Sequence, residues 1–543
     1  MSGRHDWLHS AVFYQVYPQS FYDSNADGIG DLEGIIRKLD YIQRLGCTDL
    51  WLNPVYESPF QDAGYDISDY CTVAARYGTN ADMRRLLEAA HRRGMHVLLD
   101  LVPGHTSVEH PWFQASMKGK PNPYTKRYIW TDESYDELPL KKPDSGDGIN
   151  IRSFILGIGE RDGKCATNYY SCQPCLNYGF ENRSQPYMSA VDSPEAAATR
   201  AAMMDVMRFW LRMGCDGFRV DMAATLVKCD PDGTGNLRLW QQFRAFLEEE
   251  FPDAVMVSEW GQPDRSLLAG FHMDFLLHNG PSHYMDLFRT EHPYFSREGR
   301  GDVRAFAEAY ARSYARTSGK GLICIPSGNH DMTRMAERLS PAEQKIAFAF
   351  LLSMPGAPFI YNGDEIGMRQ IPGLISKEGS RSLRAGCRTP MQWDGGPNDG
   401  FSDAAPDRLY LPQDPAADRP RVSDQIGAEG SLWETVHRLI ALRREIPELQ
   451  GNIPVEFLYA QDHAYPFVYR RTGETREVLA ALNPSGEDAS CRLDRRTLGR
   501  CVYADHGTAV LSGGVLRVPA ASASFFLCER QDGAAEASHG DLL

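Results

Sequence analysis

The sequence predicts an α/β protein: a (β/α)8 TIM barrel with a domain inserted after its third strand and a β-sandwich at its C-terminal end. Three observations carry this. Short apolar runs alternate with amphipathic helical segments, and eight such runs precede residue 452. The alternation is interrupted once, over about residues 104–172, by a stretch rich in Gly, Pro, Lys, Tyr and Asp. That is too long for an ordinary loop and marks an inserted unit. Beyond residue 452 the helical period gives way to short alternating runs such as PFVYRR, EVLAALN and SFFLC.

Residues 12–21 (VFYQVYPQSF) read as strand one, and 32–46 (LEGIIRKLDYIQRLG) as a helix ended by glycine. Residues 48–54 are strand two, 81–94 a second helix, and 96–103 (HVLLDLVP) strand three, apolar except for Asp100. Strands of this kind between helices belong to a parallel sheet covered on both faces. After the interruption, a helix over 194–214 leads into strand four, 214–221 (GCDGFRVD). Helices at 237–251, 303–318, 341–354 and 432–449 then alternate with strand five at 254–260 (AVMVSEW), strand six at 274–279, strand seven at 321–326 and strand eight at 357–361. The barrel is expected over 1–104 and 173–451, the insertion over 105–172, the sandwich over 452–530, and a polar, disordered tail over 531–543.

Composition narrows the function. With 57 Lys and Arg against 72 Asp and Glu, the net charge is −15, which argues against a nucleic-acid partner. The first ten residues are polar and no run of about 20 apolar residues occurs, so neither a signal core nor a membrane span is expected, and the cytoplasm is the expected compartment. Twelve scattered Cys read as reduced, mostly buried thiols. Cys165, Cys172 and Cys175 lack the paired spacing of a zinc site.

Chemistry is concentrated where a barrel keeps it, at the C-terminal ends of the strands. Asp100 lies on strand three and His105 just past it, Arg219 and Asp221 lie on strand four, Glu259 ends strand five, and His330 and Asp331 follow strand seven. Arg219 and Asp221 are two apart and so share a face. Carboxylates converging from several strands repel one another unless they are used. Two that flank a scissile bond, with a third holding the sugar, constitute glycosidase chemistry. Separately, DSNADGIGD at 23–31 sets oxygen ligands at alternate positions around a glycine turn. Asp23, Asn25, Asp27 and Asp31, with the carbonyl of Ile29, suit one structural calcium or magnesium ion, and the loop lacks the closing glutamate of an EF-hand.

At this point the chain resembles the α-amylase superfamily, glycoside hydrolase family 13. DLVPGH at 100–105, GFRVD at 217–221, SEW at 258–260 and NHD at 329–331 resemble its conserved regions in order, and QPCLN at 173–177 is similar to its marker after the inserted domain. The resemblance implies that Asp221 is the nucleophile, Glu259 the acid/base and Asp331 the transition-state stabiliser. It further implies that Arg219, His105, His330 and Tyr65 of GYDISDY contact the bound glucose. DSNADGIGD and RTPMQWD at 388–394 are similar to the exo-acting branch, which holds α-glucosidases, oligo-1,6-glucosidases and trehalose synthases. There an aspartate before GYDI pairs with the arginine of RTPMQW to close the pocket, which implies an Asp62–Arg388 pair on a terminal glucose. Three positions depart from the pattern: Gly104 stands where the family has Asn, Cys175 where its marker has Asp, and Met222 follows the nucleophile. The resulting expectation is a retaining α-glucosidase-type enzyme acting on short oligosaccharides, with transglucosylation. A trehalose synthase-type isomerase or other α-glucosyltransferase, and a non-catalytic amylase-like binding protein, are the alternatives.

Overall fold

The computed structural model describes residues 3–133, 151, 153–277, 282–317, 319–376, 378 and 383–530. The predicted tail at 531–543, the far end of predicted strand six at 278–279 and the last residue of the predicted helix ending at 318 lie outside the described residues.

Eight parallel strands form the barrel: Phe13–Val16, Asp49–Leu52, His96–Leu101, Gly217–Val220, Val255–Ser258, Met273–Phe275, Leu322–Cys324 and Phe359–Tyr361. Neighbours in sequence are neighbours in space, and strand one pairs with strand eight. A single bridge, Pro326 to Phe359, joins strand seven to strand eight and nearly closes the cylinder. The strands are shorter than their apolar runs. Pro18 ends the first by lacking an N–H, and the chain turns into a 3-10 helix over Pro18–Ser20. Phe13, Trp51, Leu98, Val255, Val257, Met273, Phe275, Leu322 and Phe359 fill the barrel interior.

The helices begin and end where their caps dictate. Asp31 accepts from the N–H of Gly34 to start Leu32–Leu45, and Gly46 ends that helix in the left-handed region. Thr79 and Asp82 form a capping box on Asn80–His91, and Ser340 and Glu343 another on Pro341–Ser353.

Between the third strand and the helix Pro194–Met213, the inserted segment folds a three-stranded sheet from Trp130–Thr131, Ser153–Leu156 and Lys164–Thr167. Ile129, Phe154, Ala166, Cys175, Phe180 and Met188 give it a core of its own. The C-terminal segment is a five-stranded sheet facing a three-stranded one across Val468, Leu479, Leu516, Val518 and Phe526. The helix Pro341–Ser353 is buried from Glu343 onward between barrel and sandwich, with Phe350 against Phe467 and Tyr469. Eight of the twelve cysteines are buried.

Candidate active site

Strand register builds the centre of the site. Arg219 on strand four stands directly opposite Asp100 on strand three and Val257 on strand five. Its neighbours Phe218 and Val220 pack outward under the helices, so Arg219 points into the barrel mouth. Gly217 makes this approach feasible: its φ is +150°, and a Cβ there would lie 2.0 Å from the carbonyl oxygen of Val255.

The Arg219 guanidinium is buried and serves three carboxylates. Nη1 donates to Asp100 Oδ1 and to Asp221 Oδ1, each at 2.9 Å, and Nη2 lies 2.9 Å from Glu259 Oε2. The faces of Trp51 and Tyr65 cover it at 5.0 and 6.0 Å. One cation cannot neutralise three carboxylates, two of them buried, and the charge balance shows it. Burial, and then the neighbouring Glu259, push the Asp221 carboxyl well above the usual range, and burial pushes Asp100 up to about 6. Glu259 keeps some solvent contact and accepts a second bond, from the backbone N–H of Met222 at 3.0 Å. Met222 reaches it from the left-handed region, at φ +44°, a strained conformation for a side chain of this size. The Glu259 carboxylate thus meets an arginine and a backbone N–H.

A second cluster lies across the pocket on Asp331. Nε2 of His330 is 3.2 Å from Asp331 Oδ2, while Arg384 Nη1 and Arg388 Nη2 meet Oδ1 at 2.6 and 2.8 Å. Burial alone would raise the Asp331 carboxyl, but His330, Arg384 and Arg388 outweigh it and hold the group far below the carboxylate range. The amides of Gln15 and Asn53 both lie 3.1 Å from His330 Nδ1. With amide donors there, the ring proton sits on Nε2 and faces Asp331.

The structure corrects the expected Asp62–Arg388 pair. The cation on Asp62 is Arg384, whose Nη2 lies 3.3 Å from Asp62 Oδ1 and donates to the Tyr170 hydroxyl at 2.7 Å. Arg388 is deeper. It donates Nε to the carbonyl of His330 at 2.7 Å, covers the Tyr17 ring, and is 1% exposed. The two arginines are one helical turn apart on the segment Leu383–Cys387 and the residue after it, and the outer one reaches across the pocket. Asp62 is also held by Gln173 Nε2 at 2.8 Å, and burial pushes its carboxyl up to about 6 against the pull of both arginines.

His105 and Tyr65 complete the wall. Tyr65 stacks on His330 with ring centres 5.2 Å apart, and its hydroxyl donates to Asp100 Oδ2 at 2.9 Å. Asn168 donates to His105 Nδ1 at 2.9 Å, leaving the Nε2 proton on the Tyr65 carbonyl at 3.0 Å. His105 thus has its donor already engaged within the protein. Asn168 also explains Gly104: a Cβ at that position would meet the Asn168 amide at 2.7 Å. The departure at Cys175 is a packing residue, fully buried in the core of the insertion, with its backbone bridged to His105.

The family model of the alpha amylase catalytic domain matches residues 15–451. The chain belongs to the α-amylase family. Among its relatives, the trehalose synthase/amylase TreS of Mycolicibacterium smegmatis is 33% identical, over 88% of this chain and 84% of that one. An oligo-1,6-glucosidase of Parageobacillus thermoglucosidasius is 31% identical, over 90% and 92%. The trehalulose synthase MutB from Pseudomonas mesoacidophila MX-45 has a similar structure, with a TM-score of 0.80 and 27% identity over 96% of this chain and 99% of that one. This α-amylase-family chain is accordingly an enzyme acting on α-glucosidic bonds, and its substrate is a carbohydrate.

Several residues of this amylase-family pocket escaped sequence reasoning. Tyr170, Asn168 and Asn53 lie in loops, Arg384 on a short 3-10 turn and Gln15 on strand one, and each acts through partners distant in sequence. The signal for Arg384 was its place four residues before Arg388.

The loop at 23–31 lies apart from these carboxylates. Asp23 is buried and accepts four bonds, from the N–H groups of Asn25, Ala26 and Gly28 and the hydroxyl of Ser402. Asp31 accepts from Ser24 N–H and hydroxyl and caps a helix through Gly34. Among the described residues no group of three or more His, Cys, Asp or Glu is placed to hold a metal. The donor set therefore fits a cation only in part: Asp23 has its four lone pairs taken, and capacity remains on Asn25, Asp27, Asp31 and the Ile29 carbonyl.

Proposed function

We propose that the protein is a retaining α-glucosidase that removes terminal α-linked glucose from short oligosaccharides by double displacement, with glucosyl transfer to a second sugar as a competing outcome. The observation that carries this reading is the Asp62–Arg384–Asp331 bridge, extended by Tyr170 and Gln173. A charged bridge across the pocket offers charge-assisted bonds to the hydroxyls of a terminal ring. In this reading the Asp221–Glu259 pair takes up one proton, which Glu259 delivers to the glycosidic oxygen. Asp221, oriented by Arg219, attacks the anomeric carbon, and water or a sugar hydroxyl resolves the glucosyl-enzyme with Glu259 now acting as base. Asp331 and His330 bind the ring hydroxyls as it flattens.

The identity with the trehalose synthase favours one second reading, an isomerase that rebonds the released sugar before it leaves. Incubation with maltose separates them. Glucose, with or without new oligosaccharides, is the expected product, whereas trehalose as the main product would replace the glucosidase reading. Cleavage of a maltooligosaccharide blocked at its non-reducing end would overturn the exo reading altogether.

The cytoplasm is the compartment we assign, because cysteines scattered through the chain and mostly buried suit a reducing environment. Among the described residues no helix is long and apolar enough to cross a membrane. The 23–31 loop we assign to one calcium or magnesium ion that stabilises without entering the chemistry. A chelator is then expected to lower the melting temperature while leaving kcat of the folded enzyme unchanged, and an unaltered melting temperature would remove the ion.

A further inference from the structure

Behind Glu259 lies a buried carboxylate to which the mechanism above gives no role. Asp274 is on strand six, in register with Ser258 of strand five, and is fully buried. Its neighbours Met273 and Phe275 fill the barrel interior, so Asp274 points outward, toward the short helix Pro263–Leu268. Oδ1 accepts the Ser258 hydroxyl at 2.7 Å and the backbone N–H groups of Trp260 and Gly261 at 3.2 and 3.4 Å. Ser258 is in turn hydrogen-bonded to Ser266 on that helix, at 2.5 Å. These donors are neutral. Oδ2 is buried and has no hydrogen-bond partner.

A carboxylate in such a place is costly to keep. Burial pushes its carboxyl up to about 7, against the pull of Ser258 and the loop N–H groups. What it achieves is specific: it grips the residues immediately before and after Glu259. Glu259 has two backbone ties of its own, its N–H to the Val220 carbonyl at 2.9 Å and its carbonyl to the Ala223 N–H at 3.2 Å. Without Asp274, the chain leaving Glu259 through Trp260 and Gly261 would lose its anchor on the outer side.

We infer that Asp274 is a positioning residue for the acid/base Glu259, holding the strand-five exit so that the Glu259 carboxyl meets the glycosidic oxygen. The inference rests on the assignment of Glu259 made above. A misplacement of about 1 Å costs on the order of 10²-fold in rate, and only steps that need the acid or base should register it.

The test compares the wild type with Asp274→Ala and Asp274→Asn on substrates of different leaving-group quality. Asp274→Ala is expected to lose about 10- to 100-fold in kcat/KM on maltose. It should remain close to wild type on α-glucosyl fluoride, whose departure needs no acid. Azide, a nucleophile that needs no base, should raise kcat of Asp274→Ala on the fluoride and leave the wild type unmoved. Asp274→Asn, which keeps an oxygen for the same donors, should recover most of the maltose activity. An equal loss on both substrates, no loss at all, or no response to azide would overturn the inference. If Asp274→Ala does not fold, Ser258→Ala, which removes one donor to Asp274, must show the same leaving-group dependence or the inference fails. A wild type inactive on both glucosides would instead overturn the glucosidase reading.

Discussion

Asp221→Asn is expected to abolish turnover of maltose and of aryl α-glucosides, by on the order of 10⁴-fold or more, the scale on which loss of a covalent nucleophile registers. The amide keeps the shape and can still accept from Arg219, so the melting temperature should hold or rise. A rise is physically reasonable, because burial and Glu259 already disfavour the Asp221 charge, and Asn removes it from a cluster with one cation for three carboxylates. Glu259→Gln should lose about 10²- to 10⁴-fold on maltose. On a substrate with a very good leaving group the first step needs no acid, so a covalent glucosyl-enzyme should accumulate, detectable by mass. Near-normal activity of either variant would remove the corresponding assignment, and an intermediate trapped on Asp221→Asn would move the nucleophile elsewhere.

The second large effect is expected at Arg384. Arg384→Ala strips one cation from two carboxylates at once, the buried Asp62 and the partly exposed Asp331. The cost in kcat/KM for short α-glucosides is expected at about 2–5 kcal/mol, that of truncating one partner of a buried charged pair. Arg388→Ala should differ in kind, since Arg388 is deeper and braces the His330 carbonyl; it is expected to lower the melting temperature as well as the rate.

The pH profile separates the two. Asp62 is pushed up to about 6 by burial, against the pull of Arg384 and then Arg388. Because its folded value lies above the unfolded value of about 4, its ionisation costs stability as pH rises through that window. Activity needs the ionised form, so kcat/KM should fall below about pH 6 in the wild type. Removing Arg384 raises Asp62 further, and the acid limb should move to higher pH. An unmoved limb with a uniformly lower rate would make Arg384 a brace of the loop and not part of the sugar site.

What is local to the chain and what depends on the whole fold separate most clearly at individual residues. Asp100, Arg219, Asp221 and Glu259 could be read directly, because each sits on or just past the C-terminal end of a strand recognisable from its apolar run. Once the barrel is recognised, those strand ends converge. His330 and Asp331 followed from the same rule, one residue past a short strand and its turn. Arg384 could not be found this way. It lies on an irregular segment between strand eight and the last long helix, and nothing local aims it across the pocket at Asp62. Its neighbour Arg388, better marked in sequence, turned out to be the buried support. The metal loop shows the opposite limit. Alternating Asp and Asn read as cation ligands, yet Asp23 and Asp31 also serve backbone N–H groups, a use that alternation alone does not reveal.

By itself, then, the sequence determined the barrel, its insertion and its sandwich, and the carboxylates carried on strand ends, because period and strand direction are local properties of the chain. Only the tertiary structure decided which arginine meets Asp62, that Asn168 fills the space over Gly104, that His105 arrives with its donor engaged, and that Asp274 stands behind Glu259. Each of those depends on two loops or strands meeting at hydrogen-bond distance, and such distances are set by packing of the whole fold, not by any stretch of sequence.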